Sequence, residues 1–123
     1  MVVTGVQTCA LPISEALDDA LCAGRAALRV LLDNAKNDAH LAGSISVNFM
    51  MLFGYLCGGW LMARSALRAQ ALLDSGNGDP QFLDAKRITA DFYAEQLLPR
   101  VHALLAAISS GSKSIMALDD EQF

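Results

Sequence analysis

The chain has 123 residues, which suits a single domain of ordinary size. Its hydrophobic content of 54% is above that of most soluble proteins, whereas aromatic residues make up only 7%, a balance typical of closely packed helices. The net charge of -4 and the scattered positions of the nine lysine and arginine residues argue against a nucleic-acid binder, because neutralising phosphates requires clustered cations.

Residues 3–13 read VTGVQTCALPI and resemble the conceptual translation of a sequencing adapter joined to a truncated reading frame. A leader peptide is the alternative, but no basic residue precedes the apolar run and no Ala-x-Ala cleavage pattern follows it. We therefore expect residues 1–14 to be a non-native prefix without a structural role. A helical domain from a larger protein is expected to occupy residues 15–123.

Apolar residues recur every three or four positions in residues 14–35, which predicts a first amphipathic helix. The polar segment 37–44 predicts a turn, and Ser44 is a candidate N-cap for a second helix over residues 45–73. The first half of that helix is apolar on nearly all sides and must be covered from two directions. Its predicted core stripe consists of Ile45, Phe49, Leu52, Leu56, Trp60, Ala63 and Leu67.

Asp79 and Pro80 follow a glycine-containing turn and predict the N-terminus of a third helix over residues 80–109. Pro99 has no amide hydrogen to donate to the carbonyl of Glu95, so we expect a bend or a local break there. The tail after Gly111 is expected to contain a short turn near Asp119. The sequence thus predicts an all-α fold, with three long antiparallel helices in an up-down bundle and a short C-terminal tail or helical turn.

A single membrane span is the principal alternative for the second helix. Residues 41–63 contain no Asp, Glu, Lys or Arg, and at about 1.5 Å per residue they extend about 34 Å, enough to cross a bilayer. Polar residues and three glycines interrupt this stretch, and the two flanking helices have apolar stripes that need a partner. The central helix of a bundle is therefore the favoured interpretation.

Gly54 and Gly58 form a G-x-x-x-G pair, which favours the close approach of another helix over binding of a ligand. Neither His40 nor His102 has another potential metal ligand near it in the sequence at the spacing of a metal site. His102 is interpreted as a structural histidine. Glu95 is expected to be an ordinary solvated carboxylate on the acidic face of the third helix.

Cys57 and Trp60 are expected to fill the core, although Trp60 and Tyr55 are also able to stack on a cofactor ring. Cys22 is expected on the polar side of the first helix, and Cys9 lies in the prefix. These thiols show neither zinc-site spacing nor a disulfide framework, which favours a reducing, cytoplasmic setting. We predict no catalytic, cofactor-binding or metal-binding residue within the chain.

Three segments carry a family resemblance: LFGYLCGGWLMARSAL at residues 52–67, AKRITADFYAEQLLPRVHALLAAISSG at residues 85–111, and the ending SIMALDDEQF. Together they resemble the additional C-terminal domain of the larger bacterial acyl-CoA dehydrogenases of the 3-methylmercaptopropionyl-CoA dehydrogenase group. The resemblance spans essentially everything after the prefix. It rests on diffuse helical motifs and includes no catalytic residue.

The resemblance implies a parent flavoenzyme that forms an α,β double bond in an acyl-CoA thioester, with a glutamate base taking the α proton and FAD accepting the β hydride. The base and most contacts to FAD and the acyl-CoA substrate would belong to preceding domains. The chain itself is expected to pack on that catalytic body or on a second subunit and to be inactive alone. A small single-span membrane protein and a free-standing helical interaction domain are the alternatives.

Overall fold

The computed structural model describes residues 12–123, and over these residues the fold is all-α. Helix α1 spans Pro12–Asn34, α2 spans Leu41–Asp74, α3 spans Pro80–Gln96 and α4 spans Arg100–Ser109. A single 3-10 turn, Asp120–Gln122, follows near the C-terminus. The predicted fold class is therefore confirmed, with the third predicted helix divided into α3 and α4.

Neighbouring helices are antiparallel, because their contacts pair later residues of one helix with earlier residues of the other. Gly24 of α1 lies against Leu56 of α2, whereas Leu17, about two helical turns before Gly24, lies near Gly59. In the same way, Tyr93 contacts α2 at Gly58 and Leu83 lies near the far end of α2. This order is that of an up-down arrangement in which α2 is the central helix, in contact with α1, α3 and α4.

The start of α1 differs from the sequence-based expectation. We expected residues 1–14 to have no structural role, but α1 begins at Pro12, and the Ile13 side chain is completely buried in the core. Ser14 is also buried. Proline is favoured in the first turn of a helix because its missing amide hydrogen would have no partner there. Residues 3–11 lie outside the described part of the chain.

The core face of α1 is built on small residues. The sequence pattern predicts an apolar stripe of Leu17, Leu21, Gly24, Leu28, Leu31 and Ala35. Gly24 is buried, and Leu17 and Leu31 pack against the core. Leu21 and Leu28, however, are 40% and 42% exposed, whereas Ala20, Ala23 and Ala27 are buried. Small side chains allow two helix axes to approach closely, and the leucines then lie beside the contact rather than within it. The periodicity therefore predicted the helix correctly and its buried face only in part.

Helix α2 begins four residues earlier than expected, and Ser44 lies inside it. His40 occupies the N-cap position without a side-chain hydrogen bond to the helix. The preceding turn is held by Asp38, whose Oδ1 accepts from the backbone N of His40 at 3.0 Å and whose carbonyl accepts from the backbone N of Leu41 at 3.2 Å. A short aspartate-based turn thus replaces the predicted serine cap.

The predicted boundaries around α3 are confirmed. Gly76 and Gly78 have φ of 72° and 82°, values that glycine adopts without strain, and they terminate α2. The Asp79 side chain then accepts from the backbone N of Gln81 at 3.0 Å, with Pro80 as the first helical residue.

The predicted break at Pro99 is also present. The backbone N of Leu98 donates to the carbonyl of Tyr93, and the backbone N of Arg100 donates to that of Leu97, which separates α3 from α4. The break turns the chain at Leu98, whose side chain is 2% exposed and packs against Gly59 of α2.

Candidate functional surfaces

The two glycines of the G-x-x-x-G pair have different surroundings. A Cβ atom at Gly58 would overlap with the hydroxyl oxygen of Tyr93 and lie 2.8 Å from its Cζ atom, whereas a Cβ at Gly54 would meet no atom within 4 Å. The predicted close approach is therefore confirmed at Gly58, whereas at Gly54 it is absent among residues 12–123. The neighbouring Gly59 makes a second close contact, since its Cβ would lie 2.8 Å from Leu98.

Tyr93 uses the space at Gly58 to connect α3 to α2. Its hydroxyl donates to the backbone carbonyl of Tyr55 at 2.9 Å. Burial raises the pKa of the Tyr93 phenol, with a smaller contribution from the nearby Tyr55. Arg100 of α4 donates to the Tyr55 hydroxyl at 3.2 Å, and its guanidinium lies 5.9 Å from the Tyr55 ring centroid. Tyr55 therefore connects α2 to both α3 and α4.

The two histidines are not brought together. His102 of α4 lies 2.6 Å, Nε2 to Oδ2, from Asp19 of α1, with both side chains more than half exposed. This pair connects two helices, as the interpretation of His102 as a structural histidine implies, and exposed pairs of this kind contribute little stability. Within residues 12–123 no cluster of three His, Cys, Asp or Glu side chains has the arrangement of a metal site.

Both cysteines in the described part of the chain are free and exposed. The prediction was correct for Cys22 and wrong for Cys57, which lies on the outer side of α2. Trp60 was also expected in the core, but it is 53% exposed, and the Arg64 guanidinium lies 4.8 Å from its ring centroid. Gly59 takes the buried position beside it, because the contact with Leu98 leaves no room for a large side chain. Glu95 is exposed, as expected for a solvated carboxylate.

A short hydrogen bond connects the tail to the bundle, and no local sequence pattern predicted it. The Ser112 hydroxyl donates to Asp38 Oδ2 at 2.5 Å, and Ser112 is buried. This bond lowers the pKa of the Asp38 carboxyl, because it stabilises the ionised form. Beyond it, Ile115 and Met116 line a shallow depression together with His40, Gly43 and Ser44 at the start of α2.

A continuous exposed face runs along α2. We call it the α2 outer face and define it by five exposed residues at helical spacing: Val47, Met50, Gly54, Cys57 and Leu61. Val47 and Met50 are each 65% exposed. The sequence predicted that this half of α2 must be covered from two directions, and within the described residues only one side is covered.

The same face leads into an open groove of about 760 Å³ between the C-terminal half of α2 and the start of α3. Leu61 and Phe82 contribute apolar surface to it, and Arg64, Arg68 and Lys86 contribute three cations. We call this the α2–α3 groove.

By length and composition α2 is also apolar enough to cross a membrane. Helices of this kind occur equally at the centre of bundles, and Leu52, Leu56 and Ala63 are buried in the core shared with α1, α3 and α4.

Over residues 12–123 these features define a small helical domain. Gly58, Tyr55 and His102, three of the residues first considered as site candidates, take part in contacts between its helices. The sequence comparisons are in accord. Residues 6–119 match the family described as "Acetyl-CoA dehydrogenase C-terminal like", and the chain belongs to this family.

Two relatives extend the comparison to complete enzymes. The chain is 40% identical over 104 residues to 3-methylmercaptopropionyl-CoA dehydrogenase of Ruegeria pomeroyi, a match that covers 85% of this chain and 18% of the relative. It is 37% identical over 103 residues to the broad-specificity linear acyl-CoA dehydrogenase FadE5 of Mycobacterium tuberculosis, covering 80% of this chain and 17% of that relative. The chain thus spans less than a fifth of the length of either enzyme.

Proposed function

We propose that this chain is the C-terminal domain of an FAD-dependent acyl-CoA dehydrogenase and that its role is to pack on the catalytic body. The observation that carries the proposal is the family match over residues 6–119, together with relatives of which the chain accounts for only 18% and 17%. Formation of the α,β double bond would then depend on residues outside this chain. A cytoplasmic location accords with the two free, exposed thiols, Cys22 and Cys57.

The described residues do not fit a flavin site. The isoalloxazine ring of a flavoenzyme needs an enclosed cleft with polar groups placed around its edge. The α2–α3 groove is open to solvent, and of the two aromatic residues considered for stacking, the Tyr55 ring lies near Arg100 and the Trp60 ring lies near Arg64. The exposed Glu95 lacks the buried setting expected of a catalytic base. The catalytic glutamate and the flavin contacts are therefore assigned to the remainder of the parent enzyme.

The outward face of α1 is the surface that we assign to this packing. Leu21, Leu28 and Leu32 lie on one side of the helix, and Leu32 is 65% exposed. Such a row of exposed leucines marks an interaction surface more often than a solvated one. Helix α1 is also the described element nearest to any domain that precedes this one, so its outer face is well placed for the contact.

Binding in trans tests the packing role. The Ruegeria pomeroyi dehydrogenase is prepared without the segment equivalent to this chain, and its association with the isolated chain is measured by calorimetry. We expect a one-to-one complex that is lost when Leu28 and Leu32 are both replaced by glutamate. A matched variant with Ala35→Glu and Lys36→Glu, which alters charge beyond the end of α1, is expected to bind like the parent chain. Absence of binding by the folded parent chain would contradict the assigned role.

A further inference from the structure

We propose that the α2–α3 groove binds an acidic amphipathic helix of a partner protein. The apolar side of that helix lies on the floor of the groove, and its carboxylates face Arg64, Arg68 and Lys86. This inference goes beyond the proposed dehydrogenase role and does not depend on it.

The first argument is the unmatched charge of the groove. The chain has a net charge of -4, yet Arg64, Arg68 and Lys86 line this one groove and no Asp or Glu does. No carboxylate of residues 12–123 lies within ion-pair distance of these three side chains. The cations of α1 differ, since the depression that Arg29 lines also contains Asp33. The groove therefore lacks negative charge that a partner is able to supply.

Aromatic rings position two of these cations. The Arg64 guanidinium lies 4.8 Å from the Trp60 ring centroid, and the Lys86 Nζ lies 5.0 Å from that of Phe82. A cation over an aromatic face is attracted by the ring, and its remaining N–H groups stay available to an acceptor. Because these side chains are already partly ordered, binding a carboxylate costs less side-chain entropy than it does at a fully mobile cation.

Exposed apolar side chains form the floor of the groove. Leu61 and Phe82 are 52% and 57% exposed, and Leu67 is 38% exposed, although all three line a concave surface. Apolar side chains grouped in this way and bordered by charged ones are typical of an interaction site. The partner must therefore be amphipathic as well as acidic.

The shape of the groove selects a helix among anionic partners. Its lining extends along α2 from Leu61 to Leu72, about 17 Å or three helical turns. A small anion would remain largely in water in so open a site, whereas ligand pockets enclose most of their ligand. A flat lipid surface would not reach the floor of a concave site. A helix laid between α2 and α3 buries its apolar side there and keeps its polar side in solvent.

The spacing of the cations defines the sequence that such a helix carries. Arg64 and Arg68 are four residues apart, which is about 6 Å along α2. Acidic residues four positions apart on a helix aligned with α2 have the same spacing, so one carboxylate faces each arginine. Lys86, on α3, faces a third carboxylate on the opposite edge of the docked helix. Apolar residues occupy the side between these two acidic edges.

A designed peptide tests binding to the groove. The probe is a stapled helix of about 15 residues in which leucines form one side and glutamates four positions apart border them. Trp60 is the single tryptophan of the chain and lies beside Arg64, so its fluorescence reports binding, and calorimetry gives the dissociation constant. We expect saturable one-to-one binding. A stapled peptide of the same composition, rearranged so that leucines and glutamates share every side, is expected to bind about tenfold more weakly.

Charge reversal places the peptide in the groove. The double variant Arg64→Glu and Arg68→Glu is expected to raise the dissociation constant of the acidic peptide about tenfold and to bind a peptide in which lysines replace the glutamates. Arg25→Glu and Arg29→Glu form the matched control, because they reverse two exposed cations of α1 at the same spacing. This control is expected to bind the acidic peptide like the parent chain.

Three results would overturn the proposal, with helical circular dichroism intact. The first is equal binding of the rearranged peptide, and the second is equal weakening by the α1 control. The third is displacement of the peptide, at constant ionic strength, by pyrophosphate or by vesicles containing phosphatidylglycerol, which would assign the groove to a phosphate ligand or a lipid surface. Because these experiments use this chain without flavin, their failure leaves the proposed dehydrogenase role unaffected.

Discussion

The substitution Gly58→Ala tests the contact between α2 and α3 most directly. In an isolated helix this change would stabilise by about 1 kcal/mol, because alanine has the higher helix propensity. In this chain the added Cβ would overlap with the Tyr93 hydroxyl and lie 2.8 and 3.3 Å from two ring carbons. The ring is stiff, so Tyr93 must move, which costs about 1–3 kcal/mol of overpacking and about 1 kcal/mol for the hydrogen bond to the Tyr55 carbonyl.

The unfavourable contributions exceed the gain in propensity, and we expect Gly58→Ala to lower the free energy of unfolding by about 1–3 kcal/mol. Gly54→Ala, one helical turn earlier, is the matched control. Nothing lies near its Cβ position, so we expect it to raise the free energy of unfolding by about 0.5–1 kcal/mol. Urea unfolding followed by circular dichroism, at concentrations where the midpoint is independent of concentration, measures both. Stabilisation by Gly58→Ala, equal to that by Gly54→Ala, would refute the assigned contact with Tyr93.

Three further predictions concern single side chains. The pKa of the Tyr93 phenol is raised in the folded state, so the stability that the neutral phenol contributes is present below about pH 10 and is lost as pH rises through the folded pKa. Tyr93→Phe has no phenol to ionise and is expected to lose less stability over this alkaline range. A pH series of thermal melts of both proteins measures the difference. Ser112→Ala is expected to destabilise the chain at neutral pH, with a difference from wild type that narrows as pH falls through the lowered pKa of Asp38; a constant difference in acid titrations would contradict this. Asp79→Ala removes the N-cap of α3 and is expected to cost about 1 kcal/mol in urea unfolding, whereas Asp84→Ala, within the same helix, serves as a control with a smaller effect.

Residues with strong local preferences made much of this fold predictable. Asp79 and Pro80 define the start of α3 in the sequence, and Pro99 defines the break after it, because capping and the missing amide hydrogen act within one helical turn. The all-α class followed from periodicity alone. These features need no knowledge of distant residues.

Buried faces were harder to predict because they depend on how closely the helices approach. Trp60 and Cys57 have the hydrophobicity of core residues, yet the position that packs against Leu98 belongs to Gly59. Likewise, Ala23 and Ala27 of α1 are buried, whereas the larger Leu28 is exposed. Hydrophobicity scales favour the large side chain, whereas close helix packing favours the small one.

Contacts between residues far apart in the sequence had no local signal at all. The bond between Ser112 and Asp38 joins residues 74 positions apart, and that between His102 and Asp19 joins residues 83 positions apart. The predicted absence of catalytic, cofactor and metal residues remains a prediction, as does the origin of residues 1–14.

The central claim is that this chain is the C-terminal domain of an acyl-CoA dehydrogenase, and a chimera tests it most directly. Residues 12–123 replace the equivalent segment of the Ruegeria pomeroyi relative, and flavin absorbance is followed after 3-methylmercaptopropionyl-CoA is added. The account predicts that the chimera retains FAD and that substrate bleaches it, whereas the enzyme lacking the segment loses this response. A chimera that folds with full helical content but behaves like the truncated enzyme would contradict the account.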